Sequence, residues 1–169
     1  MKKKISVIFG DGVGPEVTQQ SIKVLNTVAV KYGHQFEYTY GLIGAAAIDE
    51  TGDPLPQQTI DMCREGDAIL FGAVGHPRYD NDPYVIVRPE HGLVSLRKEM
   101  DVFASIRLVV SYHSLYHISP LQKKQLMAVD FIIYRELSSG GYFSIKEINE
   151  EETMASDVYV YNKNEIERI

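Results

Sequence analysis

A chain of 169 residues is long enough to bury one sizeable core or two small ones, and 44% hydrophobic with 24% charged residues excludes a disordered protein. A formal net charge of -6 disfavours nucleic acid, or any partner held mainly through its phosphates. A single cysteine, Cys63, excludes an internal disulfide, and no segment reaches the roughly 18 apolar residues of a membrane span. We therefore expect a folded cytoplasmic protein with neither a membrane nor a nucleic-acid partner.

The first hundred residues alternate between strand and helix patterns. Ile5–Phe9 is a short apolar run typical of a buried strand, and it leads into the turn Gly10–Glu16, where Pro15 suits the first turn of a helix. Further strands are predicted at 36–40 and, buried, at 67–72; further helical segments are predicted at 43–48 (a short turn), 56–65 and 91–100. Strands that alternate with helices indicate βαβ units and a mostly parallel sheet.

The helix behind Pro15 is predicted to end at Gly33 and to cover a sheet with one apolar face. The apolar residues at helical spacing are Val17, Val24, Leu25, Val28, Ala29 and Tyr32.

Residues 75–89 form a long polar segment with three prolines and the run Asp80–Asp82. This segment is too broken for regular structure, and long ordered loops of this kind often carry function.

A β-rich pattern from 102 to 112 places a domain boundary near residue 100, so that the predicted domains are 1–100 and 101–169. Asp130–Arg135 is predicted as another buried strand, and a glycine turn follows it. An arm-like stretch then runs from Tyr142 to Tyr161.

A last helix is predicted just before the final residue. Asn162 or Asn164 suits its N-cap, and Glu165 falls in its first turn.

The glycine loop after the first strand does not fit the dinucleotide fingerprint of Rossmann folds. That fingerprint has glycines at its first, third and sixth positions. Here Gly10 and Gly12 occupy the first and third positions, but Pro15 occupies the sixth. Taken alone, the loop equally fits a strand-to-helix turn with unusual dihedral angles.

Six segments in one order carry a family resemblance that covers essentially the whole chain. They are Gly10–Glu16, Gly44–Gly52, Leu70–Gly75, Arg88–Arg97, Phe103–Arg107 and Arg135–Phe143. Together they resemble the β-decarboxylating dehydrogenases, and most closely the amino-terminal half of the isopropylmalate dehydrogenases among them. The implied fold is an α/β three-layer sandwich of isopropylmalate-dehydrogenase type, with a truncated two-domain architecture that is not a Rossmann fold.

The resemblance implies an oxidoreductase of leucine biosynthesis that decarboxylates 3-isopropylmalate with NAD. Residues 1–100 would be the first part of the larger, cofactor-side domain. Residues 101–169 would begin the smaller domain, with an arm that joins a homodimer or another homo-oligomer.

Three arginines match positions that bind the substrate's carboxylates in the family: Arg97, Arg107 and Arg135. A guanidinium offers a planar fork of donors that can hold a carboxylate bidentately at any working pH. Each arginine alone fits a surface or ion-pair position, but three in matching contexts favour substrate binding.

Tyr142 matches the family's catalytic tyrosine, which protonates the enol left after carbon dioxide departs. Three departures from the family pattern lie near these residues. Leu108 stands where proline is usual, Ser138–Ser139 stands where threonine and glycine are usual, and Ser144 stands where glycine is expected.

Leu93 and Val94 match the hydrophobic positions that receive the isopropyl group, and Glu90 matches a glutamate that faces both substrate and nicotinamide. An apolar pocket at this place distinguishes the isopropylmalate enzymes from isocitrate enzymes, which must meet a third carboxylate. The cofactor positions implied by the resemblance are Gly72, Ala73, Val74, Gly75, His76, Pro77 and Glu90, with His76 in place of a usual glycine.

The family's divalent cation, magnesium or manganese, is held by aspartates that the resemblance places beyond Ile169, together with a catalytic lysine and the adenine-binding loop. We therefore expect no metal site within these residues and little or no turnover by this chain alone. Two alternatives stay open: a non-catalytic protein that keeps the domain for binding or assembly, and a tartrate- or isocitrate-type decarboxylase.

Overall fold

The computed structural model of the chain describes residues 1–80 and 84–169. The chain divides into two compact units, Met1–Met100 and Asp101–Ile169. None of the helices in the described ranges has the length and apolarity needed to cross a bilayer.

A three-stranded parallel sheet forms the centre of the first unit. Its strands are β1 (Lys2–Gly10), β2 (Gln35–Gly41) and β3 (Ala68–Ala73), in the order β2-β1-β3. Val7 on the central strand is fully buried, as the apolar run predicted. The outer strand β3 is only half-buried, so its prediction as a fully buried strand is wrong.

The helices of the first unit follow the predicted spans, with two corrections. They are α1 (Gly14–Tyr32), α2 (Gly44–Thr51), α3 (Gln57–Glu65), α4 (Pro77–Asp80) and α5 (Pro89–Glu99). The short helical turn predicted at 43–48 is longer in the structure, where it forms the eight-residue helix α2. The loop predicted at 75–89 contains the single turn α4, because Pro77 suits the start of a helix, and its residues 81–83 lie outside the described residues.

The hydrophobic core of the first unit lies among β1, α3 and α5. It contains Ile8, Ile43, Leu55, Ile60, Cys63 and Leu96. Val74, directly after β3, packs against the same cluster. The end of β3 is therefore anchored to the core on one side.

The predicted apolar face of α1 is largely wrong. Of its six residues only Ala29 is buried, while Val17, Val24, Val28 and Tyr32 are exposed. The buried positions nearer the start of the helix are Gly14 and Thr18. Small residues there let α1 approach β3 closely: a Cβ built on Gly72 would lie 2.6 Å from Thr18 Oγ1.

The second unit is built from two antiparallel strand pairs. β4 (Ala104–Val110) pairs with β5 (Asp130–Glu136), and β6 (Ile145–Ile148) pairs with β7 (Ala155–Val158). Short helical segments lie at His113–Ile118, α6 (Lys123–Leu126), Gly140–Tyr142 and α7 (Lys163–Glu167). The stretch predicted as an arm thus contains the β6–β7 hairpin.

Strand β5 is not buried, contrary to prediction. Six of its seven residues are exposed, including Phe131, Ile132 and Tyr134. Among the described residues β5 belongs to a two-stranded sheet, and no further layer of this unit covers its apolar side chains.

The predicted cap of the last helix is confirmed at Asn162. Asn162 Oδ1 accepts a hydrogen bond of 3.0 Å from the amide of Glu165, and Glu165 Oε2 accepts one of 2.8 Å from the amide of Asn162. This reciprocal capping box satisfies two amides at the start of α7.

Candidate active site

The pairing of β4 with β5 brings Arg107 and Arg135 to one face of the second unit. Arg107 lies opposite Ile133, and Arg135 lies opposite Ser105. Opposite residues of an antiparallel pair share a face, as do residues two apart along a strand. The two arginines are therefore diagonal neighbours, a relationship in which Cα atoms are typically about 7–8 Å apart.

Both arginines of this pair are exposed, and neither forms a salt bridge within the described part of the chain. Two guanidinium groups on one face, without a carboxylate partner, give that face a strong local positive charge. Such a face is suited to a small dianion.

Tyr142 lies beside this pair. The guanidinium carbon of Arg135 is 5.0 Å from the centre of the Tyr142 ring, within the range of a cation–π contact. The structure thus brings together the three site residues that the sequence predicts in the second unit: Arg107, Arg135 and Tyr142.

The turn between β5 and Tyr142 is held by Glu136. Its carboxylate accepts hydrogen bonds from the amides of Ser138 and Ser139, at 2.8 and 3.1 Å, and from both serine hydroxyls. Partial burial raises the pKa of the Glu136 carboxyl, but the hydrogen bonds from the two serines outweigh burial and leave the pKa below its usual range. The two serines that depart from the family pattern therefore bind the preceding glutamate.

Gly140 completes this turn, and only glycine fits there. Its φ of 58° lies in the left-handed region, and a Cβ built on it would lie 2.0 Å from the hydroxyl of Tyr161. Tyr161 therefore packs directly on the backbone that leads to Tyr142.

Arg168 also stabilises the turn, although sequence reasoning gave it no role. Its guanidinium donates to Ser138 Oγ at 2.5 Å and to Asp101 Oδ1 at 3.1 Å, and it lies 4.6 Å from the centre of the Phe103 ring. These partners are 30 to 67 residues away in sequence, so no local pattern indicates them.

In the first unit, helix α5 presents four predicted site residues on one face. Glu90, Leu93, Val94 and Arg97 have the spacing i, i+3, i+4 and i+7, which aligns side chains along a helix. The neighbouring face, with Pro89, Gly92 and Leu96, is buried and anchors the helix.

This anchoring is close. A Cβ built on Gly92 would lie 2.4 Å from the carbonyl oxygen of Pro54 and 2.9 Å from Ile43 Cγ1. The helix is fixed on that side, while Leu93, Val94 and Arg97 are half-buried and Glu90 is exposed.

The predicted cofactor segment directly follows the sheet. Gly72 and Ala73 end β3, Val74 packs on the core, and Gly75 has a φ of 135° that side-chain-bearing residues rarely adopt. A Cβ built on Gly75 would lie 3.2 Å from Glu90 Oε1, so the glycine and the glutamate predicted for one cofactor site are adjacent.

The remaining cofactor residues, His76 and Pro77, are exposed at the start of α4. The His76 ring packs edge-on against Tyr79, with ring centres 6.4 Å apart, and its Nδ1 accepts a hydrogen bond of 3.3 Å from the amide of Arg78. The side chain that replaces the usual glycine thus lies against α4.

No metal-binding cluster is found in residues 1–80 and 84–169: they contain no group of three or more His, Cys, Asp or Glu side chains placed to hold a metal ion.

Asp11, like Arg168, is a residue to which the sequence analysis gave no role. Its buried carboxylate binds the amide of Gly75, 64 residues away, and the only sequence signal is an acid between two glycines.

Comparison with known proteins identifies the family. The family model described as isocitrate/isopropylmalate dehydrogenase matches residues 4–169. The chain is 48% identical to a 3-isopropylmalate dehydrogenase of Geobacillus kaustophilus, with 98% of this chain and 45% of the relative covered. It is 49% identical to one of Bacillus subtilis, with 100% and 47% covered. The chain thus spans just under half the length of these curated relatives.

Solved structures agree on the fold. An isocitrate dehydrogenase from Methylococcus capsulatus superposes with a TM-score of 0.75 at 25% identity, covering 98% of this chain and 44% of that one. A β-decarboxylating dehydrogenase from Thermococcus kodakarensis superposes with a TM-score of 0.63 at 30% identity, covering 98% and 42%. The α/β fold class and the resemblance predicted from the six segments are confirmed, and the chain belongs to the isocitrate/isopropylmalate dehydrogenase family.

Proposed function

We propose that this chain carries the substrate-carboxylate and nicotinamide-side residues of an enzyme that oxidises and decarboxylates 3-isopropylmalate with NAD in leucine biosynthesis. Family membership supports the reaction class. The observation that carries the proposal is the cluster of Arg107, Arg135 and Tyr142 on one face of the β4–β5 pair.

The two arginines of this cluster bind the carboxylates of the substrate. Each guanidinium offers parallel N–H donors, and within the described residues no carboxylate competes for them. Arg97 lies on the face of α5 that also carries Glu90 and Leu93. Its guanidinium has the same chemistry, and we assign it to substrate binding as well.

Tyr142 exchanges a proton with the substrate. Its phenol lies next to the Arg135 guanidinium, so the arginine that holds the substrate also orients the proton donor.

Leu93 and Val94 select the substrate side chain. They are half-buried and apolar on the same helix face as Glu90 and Arg97, which suits an isopropyl group better than the third carboxylate of isocitrate.

Bound NAD supplies the hydride acceptor, and Gly72–Pro77 together with Glu90 would hold it in the first unit. The adjacency of Gly75 and Glu90 supports this assignment. A magnesium or manganese ion, which family membership implies, finds no ligand set in the described ranges, and we assign no step to it.

We further propose a cytoplasmic homo-oligomer. Residues 1–100 would form the cofactor side, and residues 101–169 would provide the dimerisation arm. The β6–β7 hairpin supports this role because its apolar residues Ile145, Ile148 and Val158 are exposed. Light scattering on the purified chain measures the oligomer directly.

Titration of the chain with 3-isopropylmalate, followed by calorimetry, tests the substrate site. We expect Arg107→Lys to weaken binding about tenfold or more, because lysine keeps the charge but loses the fork. Arg64→Lys, which changes an exposed arginine paired with Glu99, is the matched control and should leave binding unchanged. Equal effects of the two substitutions would contradict the assignment.

The same titration with isocitrate and tartrate tests the substrate class, since preference for either would favour the alternative decarboxylases. Failure to bind any of these ligands or NAD, in a chain that unfolds cooperatively, would favour a non-catalytic assembly protein.

We expect no reduction of NAD by residues 1–169 alone with 3-isopropylmalate and magnesium. Turnover comparable to that of an intact family enzyme would contradict that expectation.

A further inference from the structure

Asp11, in the turn between β1 and α1, is a buried carboxylate that accepts three hydrogen bonds from backbone amides of the described residues. It is 6% exposed. Oδ1 accepts from the amide of Ala46 at 2.9 Å, and Oδ2 accepts from the amides of Ala45 at 2.9 Å and Gly75 at 3.0 Å. A buried carboxylate without such partners is strongly unfavourable, so this arrangement depends on all three amides.

Two of these amides belong to the start of α2. Its N-cap residue, Ile43, has no side chain that can accept a hydrogen bond, and Asp11 performs that task from a distant segment. The carboxylate can come this close because residue 44 is glycine: a Cβ built on Gly44 would lie 2.3 Å from Asp11 Oδ2.

The third amide belongs to the segment after β3. Asp11 contacts this segment twice, since its own amide donates to the carbonyl oxygen of Ala73 at 2.7 Å and its carboxylate accepts from Gly75. Asp11 therefore fixes both ends of the Ala73–Gly75 backbone.

That backbone includes the unusual conformation beside Glu90. Gly75 has a φ of 135°, and Glu90 Oε1 lies 3.2 Å from the position of its missing Cβ. The amide of Gly75 donates to the Asp11 carboxylate, and the side-chain position of the glycine faces the Glu90 carboxylate.

We propose that Asp11 is a positioning residue for cofactor binding: by holding α2 and the Ala73–Gly75 backbone together, it keeps Gly75 in the conformation that faces Glu90, which the nicotinamide dinucleotide requires. This inference deepens the proposed function and rests on it. Asp11 acts through the backbone that it holds.

Asp11→Asn tests this role. An asparagine presents its NH2 group to at least one of the three amides, so it cannot accept all their hydrogen bonds. We expect exchange of the Gly75 amide hydrogen to accelerate about tenfold or more, and the dissociation constant for NAD, measured by calorimetry, to rise about tenfold or more.

Two control variants separate positioning from general effects. Asp61→Asn makes the same charge change on the exposed side of α3, and Ile60→Val loosens the core of that helix without touching Gly75. Both should leave the NAD dissociation constant and Gly75 exchange near wild type. Equal values for Asp11→Asn and these controls would overturn the proposal.

The NAD dissociation constant is measured in a chimera that joins residues 1–169 to the carboxy-terminal part of a family enzyme, because the adenine-binding loop is expected beyond residue 169. If this chimera does not bind NAD, the proposed function of this segment fails, while Gly75 exchange in the chain still tests whether Asp11 holds the backbone. If Asp11→Asn does not fold, the wild-type chain decides: a scalar coupling across the hydrogen bond from Gly75 N to the Asp11 carboxyl carbon supports the proposal, and its absence overturns it.

Discussion

The guanidinium carbon of Arg135 lies 5.0 Å from the centre of the Tyr142 ring. The Arg135 side chain is exposed on this face of the β4–β5 pair, where it is proposed to bind a substrate carboxylate. It also contacts the aromatic ring that is proposed to transfer a proton. Substitutions at the two positions should therefore affect different steps.

Replacing Arg135 by lysine should weaken binding of 3-isopropylmalate by about tenfold to a hundredfold, because a fork of charged hydrogen bonds contributes roughly 1.5–3 kcal/mol per contact. Calorimetric titration measures the change. The matched control is Arg78→Lys, since Arg78 also lies over a tyrosine, Tyr79, at 4.7 Å, but is not assigned to the substrate. Unchanged affinity in Arg135→Lys would contradict the assignment.

Replacing Tyr142 by phenylalanine should lower kcat by about 10² to 10⁴ while leaving substrate affinity nearly unchanged, because the ring remains but the proton donor is lost. NADH absorbance reports this in a chimera that joins residues 1–169 to the carboxy-terminal part of a family enzyme. Tyr159→Phe is the control, since that exposed phenol donates to Asp157 Oδ2 at 3.1 Å and is not assigned to the chemistry. A full-speed Tyr142→Phe chimera would remove Tyr142 from the chemistry.

Acid should weaken the turn held by Glu136. Because the folded-state pKa of this carboxyl lies below its usual range, its stabilising effect is present above that range and is lost as the pH falls through the lowered value. Urea unfolding at several acidic pH values should show a shallower loss of stability for Glu136→Gln than for wild type. Glu147→Gln, on the exposed strand β6, should follow wild type. Identical slopes for all three proteins would refute this expectation.

Replacing Gly140 by alanine should destabilise the second unit by about 1–3 kcal/mol or more, because alanine is strained at a φ of 58° and its Cβ would displace Tyr161. Gly12→Ala is the control: Gly12 has a φ of 56°, but nothing lies within 4 Å of its Cβ position. Amide exchange in each unit separates the two effects. Equal costs would show that the contact with Tyr161 contributes nothing.

The sequence predicted the strands and helices well where an apolar run was bounded by a glycine or proline. Helix α1 has Pro15 in its first turn and ends before Gly33, because proline fixes a helical φ and glycine readily adopts the left-handed φ of 65° that ends the helix. The same reasoning failed for β5, whose apolar residues resemble a buried strand but are exposed in the second unit. An apolar segment tends to be buried, but whether it is buried depends on whether another layer of the fold packs against it.

The candidate site was predictable only where residues match family motifs. Helix α5 aligns Glu90, Leu93, Val94 and Arg97 along one face through their spacing, but their assignment to the site came from the motif alone. Asp11 and Arg168 were missed because their partners are distant in sequence. Hydrogen bonds across 34, 64 or 67 residues leave no periodicity in the chain.

At the proposed carboxylate site, the pairing of β4 with β5 would make strand register a determinant of ligand recognition. A shift of one residue in β5 would turn Arg135 to the face of Leu108, away from Arg107, because side chains alternate along a strand. Both guanidinium groups would still be present, yet the dianion site would be divided between opposite faces. The connection between the strands, residues 111–129, would therefore influence specificity, because its length helps to set the register of β5 against β4. This influence requires no contact between the connection and the substrate.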